Sequence, residues 1–513
     1  MIPKTKKTEF GDFQTPAELS KDVTEFVKTI FPNPSYVIEP TCGMGSFIHE
    51  AIKQYGGKAK YLGFDINKEY IDHLNNSKRD NIDIEIEVVD FFKKDWKFFF
   101  KHNVHGNLLV IGNPPWVTNS SLGALDSTNL PIKSNFQRLT GFQAKTGKAN
   151  FDIAEWMLIN LIENVQNYTS CIAMLCKTST ARKVLKHLWL HKVNVYNSSL
   201  HIFDPKKHFG VSVDACLFIT HTQKGKHQNT ATIYSDFSFN NEIATFGIRG
   251  KELVANINDY LKYKEIEGEM EYYKWRSGLK HDASMVMELT KFDGFYINGY
   301  GKKLSIEDDY VYPLLKSSDL ANGRLIPNKY VILTQQNIED DTSHIRQTAP
   351  KTWDYLKEYE PILNNRKSII YKNRPKFSIF GIGNYSFSLW KVAISGLYKN
   401  LQFSVVGNCY GKPTMVDDTC YFIPCGTKNE ADLVCELLNS EICKKFLSSL
   451  IFFDSKRPIN IDILKRIDLK KLAELYKREY EIVEYLSNAQ VNFSKQRLLV
   501  FEDKEQYQTN TRK

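Results

Sequence analysis

Near the start of the chain, Leu19, Val23, Phe26 and Val27 recur at three- and four-residue intervals among charged residues, the spacing of an amphipathic helix. The residues ahead of them, Thr15-Pro16-Ala17-Glu18, read as a T-x-x-E capping box with proline in the first helical position. After turn residues at 31–34 the period changes. YVIE, ending at Glu39, predicts a buried strand, and a helix carrying Ile48, Ala51 and Ile52 follows the loop EPTCGMGSF (39–47). The strand YLGFD ending at Asp65, a helix from Asn67, the alternating run IEIEVVD ending at Asp90 and the strand LLVIGN ending at Asn113 continue the rhythm. Strands alternating with helices at this spacing predict an α/β fold, a mostly parallel sheet covered on both faces. Ligands of such sheets bind beyond the carboxyl ends of the strands. Glu39 to Gly45, Asp65, Asp90 and Asn113 all fall at that edge.

The pattern runs on through a helix from Asn150, with Phe151, Ala154, Leu158, Leu161 and Ile162 on one face and Asp152 early in it. The strand SCIAMLCK, a basic helix over 180–189, and strands near Leu200–Phe203 and Val213–Ile219 come next. Past about residue 225 the rhythm weakens. From Glu271 short aromatic and β-branched runs are broken by glycine, and helices return after about Glu430. Two domains are expected, 1–260 and 261–513, the second a mixed α/β domain.

Composition narrows the class. With 513 residues, 42% apolar and 25% charged, and 27 Gly with 17 Pro, the chain is an ordinary folded protein. The N-terminus lacks the apolar core of a signal peptide, and no apolar run is long enough to span a bilayer. Nine cysteines without a CxxC pair suit a reducing cytosol and predict no metal site. The net charge of +9 permits a polyanion partner without requiring one. Its distribution says more: residues 101–150 hold five Lys and Arg against one acid, and residues 351–400 hold nine against three.

Candidate chemistry follows from the strand ends. In EPTCGMGSF, Gly43 and Gly45 let the backbone approach a ligand closely, although the third glycine of a dinucleotide fingerprint is absent and a plain turn would look the same. Asp65 lies 20 residues after Gly45, the interval at which an acid at the second strand end reaches ribose hydroxyls; a helix-capping acid would also fit. Asp90 could accept from an adenine amino group while Phe91 stacks on the purine. The tetrapeptide Asn113-Pro114-Pro115-Trp116 is more specific. Two prolines end the strand in a rigid extended turn. An Asn held there, with the carbonyl of the next residue, presents two acceptors at one point, and Trp116 offers a flat face. The set suits a planar ring bearing an exocyclic amino group.

In this order, the FQTP segment, EPTCGMGSF, Asp65, Asp90 and NPPW resemble the motifs of the gamma-class DNA adenine-N6 methyltransferases, S-adenosylmethionine-dependent enzymes of bacterial restriction–modification systems. The resemblance covers residues of about 10 to 220. It implies a class I methyltransferase domain, Rossmann-like with a seven-stranded mostly parallel sheet, followed by a target-recognition domain. It further implies that Thr15 and Pro16 flank the methionine end of the cofactor and that Glu39, Pro40, Thr41, Cys42, Gly43 and Gly45 lie under it. Asp65 and Ile66 would hold the ribose, Asp90 and Phe91 the adenine, and Asn113 would border both cofactor and target. Asn113, Pro114, Pro115 and Trp116 would grip the target base, with Phe209 or Phe203 as the second aromatic wall. Trp116 stands where Tyr or Phe is commoner, and Glu39 where Asp is.

Double-stranded DNA is the expected partner. Lys148 in the basic segment after the motif, and Arg276, Lys280, Arg374 and Lys391 in the second domain, are candidate DNA contacts. A cognate restriction endonuclease acting on the same site, a monomer on DNA and a bacterial cytoplasmic location are the accompanying expectations. A fused nuclease is not expected, since none of the 17 prolines is followed by Asp. Methylation of RNA or of protein glutamine uses related chemistry and stays open, as does a catalytically silent DNA-binding specificity subunit.

Overall fold

Strand β1 (Tyr36–Glu39) lies between β2 (Lys60–Asp65) and β4 (Leu108–Gly112), parallel to both. In the computed structural model, which describes residues 14–76, 82–116, 152–269 and 272–485, these strands belong to a ten-stranded sheet. Its other members are β3 (Ile84–Val88), β5 (Ser170–Lys177), β6 (Val195–Phe203), β7 (Ala215–Thr222), β8 (Thr230–Tyr234), β9 (Glu242–Arg249) and β10 (Glu252–Val254). The order is β10-β9-β8-β6-β7-β5-β4-β1-β2-β3. The chain builds outward from β1 to β3, then returns to start β4 on the other side of β1. That reversal opens the crevice where ligands of such sheets bind. β7 runs antiparallel to both its neighbours, β5 and β6.

Seven strands in this order match the expected methyltransferase sheet, but the sheet does not stop there. β8 joins β6 in parallel, and β9 and β10 extend the edge antiparallel. Most positions in β8 and the first half of β9 are only partly buried. Their hydrophobic alternation is therefore shallow, which hides them from a pattern reading that loses the rhythm near residue 225.

Contacts divide the chain into two compact units, Met1–Ile257 and Asn258–Lys513. In the first, all five residues of β4 are buried, as expected of a central strand covered on both faces. Helix α1 (Ala17–Ile30) contributes Leu19, Val23 and Val27 to this core, and α2 (Ser46–Tyr55) contributes Phe47, Ile48, Ala51 and Ile52. Each of the buried Leu, Val, Ile and Phe side chains among these contributes about 1.5–3 kcal/mol. Later helices in this unit are α3 (Lys68–Asn76), α4 (Trp96–Asn103), α5 (Ile153–Val165), α6 (Thr178–Leu190) and α7 (Pro205–Phe209).

The start of α1 corrects the capping-box expectation. The helix begins one residue later, Pro16 occupies the N-cap, and no side chain caps it. Thr15 instead reaches across the sheet edge, as described below.

The second unit contains two further sheets. One has the order β14-β13-β12-β16-β15-β19, from β12 (Glu288–Phe292), β13 (Phe295–Asn298), β14 (Lys303–Leu304), β15 (Val311–Leu315), β16 (Lys329–Ile332) and β19 (Met415–Val416). The other, β11-β20-β17-β18, uses β11 (Arg276–Ser277), β17 (Trp390–Ser395), β18 (Ser404–Val406) and β20 (Cys420–Cys425). The segments RSGLKHD and FSIFGIG meet here. Lys280 and Phe380 exchange both backbone hydrogen bonds at 2.8 Å, and Leu279 N–H donates to the Val416 carbonyl at 2.8 Å. Only glycine fits at the crossing. A Cβ on Gly278 would lie 2.1 Å from the Asp417 carbonyl oxygen, and one on Gly381, at φ +70°, would lie 2.2 Å from that of Gly278.

Candidate active site

At the end of β1, Glu39 is 3% exposed and its Oε2 accepts from Ile48 N–H at 3.1 Å, at the start of α2. Burial holds this carboxyl well above the ordinary carboxylate range, Asp65 adds to the effect, and the backbone N–H groups oppose it. Glu39 thus ties the strand to the helix beneath the glycine loop. Gly43 (φ +49°) and Gly45 (φ +75°) shape that loop in the left-handed region. Pro40 and Cys42 are buried beside it, the Cys42 thiol pushed up by burial.

Asp65, at the end of β2, fastens the loop from the other side. Its Oδ2 accepts from Gly43 N–H and its Oδ1 from Asn67 N–H, both at 2.8 Å. From above, Gln14 Oε1 accepts from Met44 N–H at 3.0 Å and the Thr15 carbonyl from Ser46 Oγ at 2.9 Å. The Thr41 hydroxyl oxygen is buried with no hydrogen-bond partner among the described residues. Ile66, next to Asp65, is 44% exposed at the rim. At the end of β3, Asp90 accepts from Phe92 N–H at 3.0 Å and faces Lys93 at 3.2 Å. Phe91 is 5% exposed and packs on Trp96, ring centroids 4.8 Å apart.

Beyond β4, Asn113 Nδ2 donates to the Thr15 hydroxyl at 3.3 Å. Pro114 is buried, Pro115 half-buried and Trp116 9% exposed. The indole N–H of Trp116 donates to the Leu175 carbonyl at 3.4 Å. Its ring meets Phe209 at 5.3 Å and 65°, edge to face, as aromatic pairs prefer. Phe203 lies one ring further out, 6.4 Å from Phe209. Of the two aromatics that sequence left open, Phe209 is the one beside Trp116.

Lys177 and Asp152 also stand here, and the sequence reading gave them no role. Lys177 Nζ donates to Asp152 Oδ2 at 2.6 Å and to the Trp116 carbonyl at 3.2 Å. A lysine ending an otherwise buried strand, at the same edge as Glu39, Asp65 and Asn113, was the available signal.

The candidates in the second unit divide. Arg276 is half-buried with its guanidinium 4.5 Å from the centre of the Tyr385 ring. Lys280 is half-buried, 3.7 Å from Asp282, and Arg374 pairs with Glu339. Lys391 is no DNA contact: it is 1% exposed and donates to the Ser388 carbonyl. It sits in β17, between β18 and β20, and burial pushes its ammonium down to about 7. Lys148 lies outside the described residues. Among those residues, no group of His, Cys, Asp and Glu could hold a metal ion, and no helix is long and apolar enough to cross a membrane.

No protein-family model matches the chain. A solved structure titled as a type IIL restriction-modification enzyme, MmeI, in complex with DNA aligns over 94% of this chain and 70% of its own, with a TM-score of 0.53 at 13% identity, a likeness of fold. The type II methyltransferase M.CvrRI of Paramecium bursaria Chlorella virus XZ-6E is 29% identical over 134 residues, 26% of this chain and 32% of that protein. The type II methyltransferase M.NspV of Nostoc sp. (strain ATCC 29411 / PCC 7524) is 42% identical over 480 residues, 93% of this chain and all of that protein. With that identity sustained from end to end of the relative, over a sheet whose strand ends carry the glycine loop and Asn-Pro-Pro-Trp, the chain belongs to the type II methyltransferases.

Proposed function

We propose that the protein transfers a methyl group from S-adenosylmethionine to the exocyclic N6 of an adenine flipped out of double-stranded DNA, at a specific sequence. The observation that carries this reading is the joint placement of Asn113, tethered to Thr15 at the end of β4, and the edge-to-face Trp116–Phe209 pair.

The cofactor suits the residues present. The Asp65 carboxylate, fixed at both oxygens by backbone N–H groups, stands at the strand end where a ribose diol would be held. The Thr41 hydroxyl, buried without a partner among the described residues, is a further polar group at the loop. Gly43, at φ +49°, gives the loop a left-handed turn that a side chain would strain, and a Cβ there would push on the Gln14 amide that holds Met44 N–H. Bound there, S-adenosylmethionine supplies an electrophilic methyl on a sulfonium.

The protein's own residues supply alignment. The adenine amino nitrogen is a weak nucleophile because its lone pair is conjugated with the ring. Accepting its two hydrogens on the Asn113 side-chain carbonyl and the Pro114 main-chain carbonyl localises that lone pair and aims it. The Asn113–Thr15 bond commits the amide nitrogen to Thr15 and turns the carbonyl oxygen the other way. Aimed in this way, N6 would take the methyl that the bound cofactor supplies, the bond from methyl to sulfur being lost in exchange, and its surplus proton would pass to water. Stacking of the flipped base against this aromatic pair would offset part of the unstacking cost, a few kcal/mol.

Sequence choice would rest with the second unit, where Arg276, Lys280 and Arg374 remain candidate contacts. A restriction endonuclease cutting the same site is the partner this reading implies, with the methyltransferase acting as a monomer on DNA. Expression in a bacterial host free of DNA methylation, followed by long-read mapping of modified bases, tests it. N6-methyladenine at one recurrent motif is expected, whereas N4-methylcytosine or unmodified DNA would overturn it.

A further inference from the structure

Besides the residues that face cofactor and base, one ion pair joins three separate parts of the chain at this edge. Asp152 caps α5 by accepting from Ala154 N–H at 3.1 Å through Oδ1, and its Oδ2 accepts from Lys177 at 2.6 Å and from the Thr180 hydroxyl at 3.4 Å. The carboxylate side chain is 7% exposed and the lysine side chain 22%. The ammonium also donates to the main-chain carbonyl of Trp116, at 3.2 Å. Trp116 is therefore held by β5 at two points, its ring N–H on the Leu175 main-chain carbonyl and its own carbonyl on the Lys177 side chain, two residues apart along the strand.

We infer that Lys177, oriented by Asp152, is a positioning residue for methyl transfer: it sets the path of the Asn113-Pro114-Pro115-Trp116 turn by anchoring the carbonyl that ends it. The inference deepens the methyl-transfer reading above and rests on it. The physical case is one of leverage. Two prolines make the turn stiff, so fixing its far carbonyl fixes the direction of the Pro114 carbonyl and of Asn113 at its near end. Thr15 holds the near end through the Asn113 side chain. Lys177 holds the far one. Neither Lys177 nor Asp152 is assigned any contact with the reacting atoms, and no proton is routed through them. A charge-assisted bond to a half-buried carbonyl is stronger than a neutral one, which suits an anchor.

The test uses full-length Lys177→Met, Lys177→Arg, Asp152→Asn and the Lys177→Met/Asp152→Asn double variant. Three quantities are read on each: S-adenosylmethionine affinity and stoichiometry by calorimetry, base flipping by 2-aminopurine fluorescence in the target duplex, and single-turnover methyl transfer per binding-competent site. Lys177→Met is expected to slow transfer about ten- to hundredfold, the cost of a small misplacement of reacting groups, with cofactor affinity within about twofold of wild type. Lys177→Arg should recover most of that loss. The double variant should be no slower than Lys177→Met, because the pair acts as one unit. A single-turnover rate in Lys177→Met equal to wild type, counted per binding-competent site, overturns the inference, as does an arginine variant as slow as the methionine one. If Lys177→Met fails to fold, Asp152→Asn decides: about tenfold slower transfer supports the anchor, and an unchanged rate refutes it. Should the wild type modify a base other than adenine, the functional reading fails, while the rate comparison still judges Lys177 on the base that is modified.

Discussion

Asn113 and Thr15, 98 residues apart, share a hydrogen bond of 3.3 Å that joins the start of the first helix to the end of the fourth strand. It gives Thr15, whose spacing from Glu18 suggested a helix cap, a hydrogen bond to the proposed base-binding turn. Replacing Asn113 with Ala removes the acceptor for the amino group, so single-turnover methyl transfer should fall by about a hundred- to a thousandfold while S-adenosylmethionine still binds. Thr15→Val keeps the shape and deletes one neutral hydrogen bond, about 1 kcal/mol, and should slow transfer by roughly fivefold. Near-normal turnover of the Asn113 variant would discard the proposed alignment.

Asp65 makes a separate prediction about binding. Its carboxylate both secures Gly43 and Asn67 and faces the proposed ribose site. Hydrogen bonds to a charged group contribute about 1.5–3 kcal/mol each, so Asp65→Ala should weaken cofactor affinity by more than about tenfold in calorimetry. Unchanged affinity would place the cofactor elsewhere.

Lys391 links stability to pH. Its ammonium is pushed from 10.5 down to about 7 in the folded chain. Between those two values the unfolded state binds the proton and the folded state does not, so this group makes stability rise with pH across that window. Below about pH 7 the buried charge destabilises the fold in full. Lys391→Met, similar in volume and without a charge, should raise the melting temperature at pH 6.5, and the gain over wild type should shrink as pH rises to 9. A gain independent of pH would show that the lysine is not the titrating group.

Gly278→Ala tests the crossing in the second unit. The added methyl would meet backbone, which cannot rotate aside, at 2.1 Å. Such overpacking costs about 1–3 kcal/mol or more, and chemical denaturation should show a clear loss of stability. The same substitution at Gly411, at φ +76° but with no atom within 4 Å of its added Cβ, should cost only the backbone strain, about 1 kcal/mol.

Much of the first unit was legible because its signals are local. A buried run such as LLVIG, closed by Asn and two prolines, identifies both a central strand and what its end carries. Lys177 was passed over because one lysine at a strand end has no pattern; its role comes from Asp152 and Trp116, brought to it by the sheet. Lys391 was misread for the converse reason. A lysine among basic neighbours suggests an exposed face, yet Val392, Ala393 and Ile394 beside it are all fully buried, the mark of a strand covered on both sides. Phe209 and Phe203 could be told apart only once the turn at α7 had set one of them against Trp116.

The interlocking of Gly278 with Gly381 bears on redesign. The two segments are about a hundred positions apart in the chain, yet the missing side chain of Gly381 leaves room for the Gly278 carbonyl, and that of Gly278 for the carbonyls of Val416 and Asp417. Sequence from a relative therefore cannot be exchanged into this part of the second unit as one continuous cassette cut between them. Chimaeras whose breakpoints fall between residues 278 and 381 should express poorly, whereas exchanges that carry both segments together should remain soluble and competent to be screened.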